Sequence, residues 1–261
     1  MPLCLSMCVC VAEENPQFVE VSKPSVNYEA ISGMVKNGSE VTISVALTNF
    51  SKEIEGNESE LLFHSDLEEQ VWGISIDGTP KECKSPFTID HREVSKAKIT
   101  LTGRAPEVNK RTEEKITLLN ITQRIKEEYP VICIKEYVTS EAIENALSMW
   151  HEANETIANA NEAIANAEDA GLNVADAKRS RDLANEHLNN SQQYYNEGRS
   201  EEALVEAEKA RDSAKDAEAK AGSAVGGVTL RNYAIIAVVA VVVIIVFVLL
   251  LQQRKRKRGV Y

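Results

Sequence analysis

Residues with catalytic or metal-binding side chains are scattered along the 261-residue chain. No HExxH, CxxC, GxSxG or phosphate-binding glycine motif is present. Asp66, Glu68 and Glu69 offer carboxylate oxygens that suit calcium, but the alternating ligand loop with its terminal glutamate is missing, so a solvated acidic face is favoured. The four histidines lack metal-ligand spacing; they are His64, His91, His151 and His187. The sequence therefore predicts no catalytic residue, no metal site, no cofactor and no enzyme.

The N-terminal residues 1–12 are apolar and are predicted to be the remnant of a signal peptide. The short run Cys10-Val11-Ala12 precedes an acidic residue and resembles a cleavage site. The cationic stretch that usually opens a signal peptide is missing. A lipobox ending at Cys8 is a weaker alternative, because a bulky methionine stands where a small residue is expected.

Two further features bear on an extracellular location. Cys83 and Cys133 would form an even pair in an oxidising compartment, and the sequence leaves open whether they form a disulfide or stay as packed thiols. The chain also contains six Asn-x-Ser/Thr acceptors for N-glycosylation. These are Asn37, Asn49, Asn57, Asn120, Asn154 and Asn189.

Residues 233–251 read YAIIAVVAVVVIIVFVLLL, without a charge or a proline. As a helix this segment would span roughly 28 Å, close to the hydrocarbon core of a bilayer, and the sequence predicts a transmembrane helix. Only Arg231 lies just before it, whereas five cations follow it, which predicts that residues 252–261 form a cytoplasmic tail. These cations are Arg254, Lys255, Arg256, Lys257 and Arg258.

Residues 13–230 carry 23 cations against 40 acidic residues, a net charge of −17. A surface this negative repels phosphate backbones, so nucleic acid is excluded as an expected partner. The charge itself needs no explanation beyond solubility.

Residues 17–138 are predicted to form an antiparallel β-sandwich of the immunoglobulin-like type. Residues 41–48 alternate apolar and polar side chains, and residues 71–76 run into a tight-turn signal. Five further runs bring the total to about seven short strands; they are residues 18–21, 87–89, 97–102, 115–119 and 131–135. Cys83 and Cys133 do not flank the tryptophan of residues 71–76 as immunoglobulin cysteines would, so the likeness is one of architecture.

Residues 139–222 are predicted to be helical and rich in alanine, and residues 223–232 to form a glycine-rich joint. In the first helix large apolar residues and alanines both repeat every seven residues, which is a heptad seam. In the third helix six alanines step by four and three. A bundle within one chain is favoured over a dimeric coiled coil. The large apolar residues of the first helix are Ile143, Trp150, Ile157 and Ile164. The six alanines of the third helix are Ala203, Ala207, Ala210, Ala214, Ala217 and Ala221.

Residues 194–210, YYNEGRSEEALVEAEKA, resemble one tetratricopeptide-type helical hairpin in their aromatic, their turn glycine and two alanines. Ala207 departs from that pattern, since the family usually has an aromatic there. Such solenoids need about three repeats, so the match implies a way of packing helices and no peptide-binding groove.

The order of signal, β domain, alanine-rich helices, anchor and basic tail resembles archaeal single-pass cell-surface proteins. The predicted fold class is therefore an α+β ectodomain, a β-sandwich followed by a helical bundle or coiled coil, with one transmembrane helix. The expected location is the cell membrane, with the N-terminal ectodomain outside.

The expected function is non-enzymatic binding, adhesion or envelope structure, with the lipid bilayer and another surface or membrane protein as partners. The alternative is an accessory subunit that presents its ectodomain to a transporter, secretion system or surface enzyme.

Overall fold

The structure is a computed structural model that describes residues 9–10 and 18–223. The predicted membrane segment 233–251, the basic tail 252–261 and residues 224–232 of the glycine-rich joint lie outside the described residues. The same is true of most of the predicted signal segment.

Within the described residues the chain forms fourteen strands and then three helices. The strands are β1 (Val9–Cys10), β2 (Glu20–Val21), β3 (Ser25–Tyr28), β4 (Ala30–Ile31), β5 (Met34–Lys36), β6 (Glu40–Thr48), β7 (Glu58–His64), β8 (Glu68–Ile76), β9 (Thr79–Lys81), β10 (Phe87–Asp90), β11 (Lys96–Arg104), β12 (Ile116–Arg124), β13 (Glu128–Glu136) and β14 (Val138–Thr139). The helices are α1 (Glu141–Asp169), α2 (Ala175–Asn196) and α3 (200–223).

The strands form three sheets. Sheet A has the order β1-β13-β12-β7-β10, and sheet B has the order β2-β6-β11-β8-β9 with β3 also paired to β6. Every pair in these two sheets is antiparallel. Sheet C has the order β14-β5-β4, and its β14–β5 pair is parallel.

The strands of sheets A and B bury one face each in a common hydrophobic core. In β6 every second side chain is buried, as period-two alternation requires. These side chains lie in register with the buried ones of β11: Ile43 opposite Leu101, Val45 opposite Ile99 and Leu47 opposite Ala97. Sheet A contributes buried side chains such as Leu61 and Ile121 to the same core.

The described chain folds as two compact units. The first, called the β unit, contains residues 9–10, 18–147 and 194–201. The second, called the helical unit, contains residues 148–193 and 202–223. The β unit thus includes the start of α1 and the turn between α2 and α3.

All three helices contribute to the apolar interior of the helical unit. One cluster joins Ala153 and Ile157 of α1 to Ala184 and Leu188 of α2, and to two alanines of α3. A second cluster repeats this arrangement with other residues of the same helices. The alanine seam of α3 is fully buried, which lets the helix backbones approach closely; its members are Ala203, Ala207, Ala210, Ala214, Ala217 and Ala221.

The antiparallel sheets followed by helices agree with the prediction, but the predicted fold class is wrong because it includes a transmembrane helix. None of the helices in the described part of the chain is both long and apolar enough to cross a membrane. The described strands also number fourteen rather than about seven, and a third sheet contains a parallel pair. Six of the fourteen strands have only two or three residues, too few to show an alternating pattern in the sequence.

The buried seam of α3 predicts a steric difference between two alanines of the same helix. Ala210 is fully buried, whereas Ala219 is exposed. Ala210→Leu should overpack the interior and lower the free energy of unfolding by about 1–3 kcal/mol. Ala219→Leu should change it by less than about 0.5 kcal/mol. Thermal unfolding of both variants at two protein concentrations tests this; a higher melting temperature for Ala210→Leu, or a strong concentration dependence, would contradict the packing.

Candidate functional site

The β unit contains a buried serine–histidine pair. His91 follows β10, and its Nε2 atom lies 2.7 Å from Oγ of Ser59 in β7. Gln123 of β12 approaches both, with its Nε2 atom 2.8 Å from Ser59 Oγ and 3.1 Å from His91 Nε2. The other ring nitrogen, Nδ1, lies 2.7 Å from the carbonyl oxygen of Ser51.

These partners define one consistent arrangement of protons. The Ser51 carbonyl can only accept, so His91 Nδ1 carries the hydrogen and donates it. His91 Nε2 then accepts from the Ser59 hydroxyl, and Ser59 accepts from the Gln123 amide. The imidazole is therefore neutral, and burial holds the pKa of His91 below its ordinary value, although the bond to Ser51 opposes the shift.

A serine beside a histidine is the arrangement of a nucleophile and its base. Here, however, Ser59 is 3% exposed and His91 and Gln123 are each 1% exposed, so a substrate cannot reach the hydroxyl. The network instead joins β7, β12 and the segments around Ser51 and His91. Sequence reasoning missed it, because the three side chains are 32 and 64 residues apart.

A second polar cluster fastens the start of α1 inside the β unit. Glu144, in the first turn of α1, accepts from Arg111 through two bonds: Nε to Oε1 at 3.0 Å and Nη2 to Oε2 at 2.6 Å. Thr139 Oγ1 donates to Oε1 at 2.6 Å. Burial raises the pKa of Glu144, but the bonds from Arg111 and Thr139 outweigh burial and hold it below its ordinary value.

The loop that carries Arg111 also contacts the turn between α2 and α3. Ser200 Oγ donates to the carbonyl oxygen of Asn109 at 3.2 Å. Gly198 has a left-handed φ of +76°, and a Cβ there would lie 2.9 Å from Cβ of Asn109. The loop therefore holds both the start of α1 and this turn.

The structure does not join the two cysteines that the sequence left as a candidate disulfide. Cys83 follows β9 of sheet B and its thiol is unbonded, and Cys133 lies in β13 of sheet A. Burial raises the pKa of the Cys83 thiol, which keeps it in its unreactive protonated form.

The six predicted glycosylation acceptors lie in different surroundings. Asn49, Asn154 and Asn189 are exposed, whereas Asn37, Asn57 and Asn120 are partly buried. Two of the amides donate to carboxylates at 2.6 Å: Asn37 to Glu107 and Asn49 to Glu20. Modification of any of the six stays a prediction.

The remaining candidates are distributed over the surface or lie outside the described residues. Asp66 accepts from the backbone N–H of Thr117 at 2.6 Å, and Glu69 pairs with Arg104 at 3.1 Å. In the part of the chain that the structure describes, no group of acidic, histidine or cysteine side chains is arranged to hold a metal ion. The five cations of the predicted topology signal, 254–258, lie outside the described residues.

Comparison with protein-family models, with curated proteins and with solved structures finds no match for this chain.

The neutral state of His91 predicts a pH dependence of stability. The folded pKa lies below the unfolded value of about 6.5, so the unfolded chain binds more protons near and below that pH. This contribution is complete above about pH 6.5 and is lost as pH falls toward the folded pKa. Denaturant unfolding between pH 5 and 8 should show the loss, and His91→Gln should remove that part of the slope.

His64→Gln, at an exposed histidine outside this network, is the matched control for the substitution itself. His91→Gln should also cost roughly 1–3 kcal/mol at pH 8, because Ser59 and Gln123 lose a buried partner. A wild-type slope in His91→Gln would contradict the assignment of the neutral imidazole.

Two glycines at helix ends provide a second matched pair. Gly171 and Gly198 have similar left-handed φ values, +72° and +76°, so alanine strains both backbones equally. A Cβ at Gly171 meets nothing within 4 Å, whereas at Gly198 it meets Asn109. Gly198→Ala should therefore destabilise more than Gly171→Ala, by roughly 1–3 kcal/mol. Equal losses in chemical denaturation would show that Asn109 does not hold the turn.

Proposed function

We propose that this chain is a non-enzymatic protein of the cell surface, attached to the membrane through its C-terminal region, which binds another surface or membrane protein or contributes to the structure of the envelope. The observation that carries this proposal is the use of the buried polar groups of the β unit. The serine–histidine pair and the Arg111–Glu144 cluster are both engaged in holding structural elements together.

The Arg111–Glu144 contact supports a structural role, in which the fold must resist mechanical force. A bidentate bond between a guanidinium and a carboxylate fixes both position and orientation. It is reinforced by Thr139, and by Thr112, whose Oγ1 accepts from the N–H of Val138 at 3.0 Å. Breaking such a partly buried pair would leave a carboxylate without compensation, so the start of α1 resists displacement.

The location rests on the sequence alone. Residues 233–251 are apolar and uncharged, and the basic run 254–258 that follows them favours a cytoplasmic C-terminus. The net charge of −17 in residues 13–230 agrees with a soluble domain outside the membrane.

The location and the partner can be tested with the full chain carrying a tag after Tyr261. Protease added to intact cells should remove the ectodomain and spare the tag. Crosslinking of intact cells, solubilisation in mild detergent and mass spectrometry should then identify a surface or membrane protein captured through residues 18–223. The control is the segment 224–261 attached to an unrelated soluble domain, which removes proteins captured by the anchor region alone.

Each outcome of this experiment distinguishes between the hypotheses. Capture of a transporter or secretion component in equal amounts would favour the accessory subunit over an adhesive or structural protein. Digestion of the tag from outside would overturn the proposed orientation. Identical captures by the full chain and the control would overturn a binding role for the β and helical units.

A further inference from the structure

The outer edge of sheet A is covered by a very short strand. β13 has nine residues and pairs along one side with β12. On its other side, among the described residues, it pairs only with β1, where Val9 lies opposite Ile134 and Cys10 opposite Cys133. Near its start β13 contains Pro130, which has no N–H. Beyond Pro130, the outer side of β13 without β1 would offer unpaired backbone N–H and C=O groups, which invite pairing with another strand.

The centre of β13 lacks the features that usually protect an exposed edge. Residues 131–134 read Val-Ile-Cys-Ile and contain no charge, proline or glycine. Ile132 and Ile134 are buried, and Val131 and Cys133 are partly buried on the opposite face. An edge segment that is apolar on both faces needs a covering strand.

The opposite edge of sheet A and the β9 edge of sheet B are protected. β9 and β10 have only three and four residues, and β9 contains a proline. β8 extends beyond β9, but its uncovered end carries Glu68 and Glu69 and a register shift in its pairing with β11. Charges and bulges of this kind block edge-to-edge pairing, and the centre of β13 has neither.

We infer that the outer edge of β13 is a strand-accepting site and that its occupant is the chain's own N-terminal segment at Val9–Cys10, which stays in the mature protein as a structural strand. The contact lies at the apolar centre of β13, where a cover is needed most. The inference opposes the signal cleavage after Ala12 that the sequence predicts, because that cleavage would remove β1.

Hydrogen exchange of the full chain in mild detergent tests the pairing. Val9→Pro removes a backbone donor and disfavours the extended ladder, and should speed the exchange of amides in residues 131–135 by roughly tenfold or more. Val9→Thr keeps the donor and should exchange like the wild type. Unchanged amides in β12 would show that the sheet is still folded. Equal exchange of β13 in all three proteins would overturn the inference.

The register provides a second, independent test. Residues directly opposite in an antiparallel pair have Cα atoms about 4.5–5.5 Å apart, within the range that a disulfide spans. Treatment with oxidised glutathione should therefore link Cys10 to Cys133, as two thiols lose two protons and two electrons and one oxidised glutathione becomes two reduced molecules. Mass spectrometry should find that peptide pair. A mature chain that begins at Glu13, or a link from Cys133 to Cys83 instead, would overturn the inference.

Discussion

Within the β unit, the bond between Arg111 and Glu144 connects the loop before β12 to the start of α1, and the positions of both segments depend on this contact. Glu144 lies in the first helical turn, where a carboxylate also interacts favourably with the helix dipole. Arg111 lies in the loop before β12, and the same loop contacts the turn between α2 and α3 through Asn109. One loop of the β unit therefore holds two segments of that same unit that are distant in sequence.

The interior packing of the helical unit and that of the β unit are determined by different interactions. In the helical unit the constraint is steric: alanines remove the side-chain volume that would keep the helix axes apart, so a larger residue has no space. In the β unit the constraint is also polar. Ser59, His91 and Gln123 satisfy one another only in the observed register of β7 and β12, since a slip of one residue would turn Ser59 to the opposite face.

The sequence alone predicted strands and a helix start correctly where the periodic pattern of apolar residues was strong. The predicted runs at 41–48, 97–102 and 131–135 lie within β6, β11 and β13, and the first helix begins close to the predicted residue 139. β7 was missed for a reason connected with its role. Ser59 points inward and Leu62 and Phe63 are only partly buried, so the alternation that marks a strand is broken by the very residue that builds the network. The Arg111–Glu144 bond could not be predicted either, because only the folded chain brings residues 33 positions apart together.

The placement of the polar groups limits where recognition can occur. A group engaged in an internal bond is not free to bind a partner, and Ser59, His91 and Gln123, which bond to one another, are among the most buried polar side chains of the β unit. What remains for recognition is the exposed backbone at the sheet edges and the acidic outer surface. Backbone edges bind extended segments with little dependence on side chains. An acidic surface mainly affects the association rate and favours partners of opposite charge. Strand β1 therefore decides whether this edge of β13 is paired within the chain or open to another extended segment.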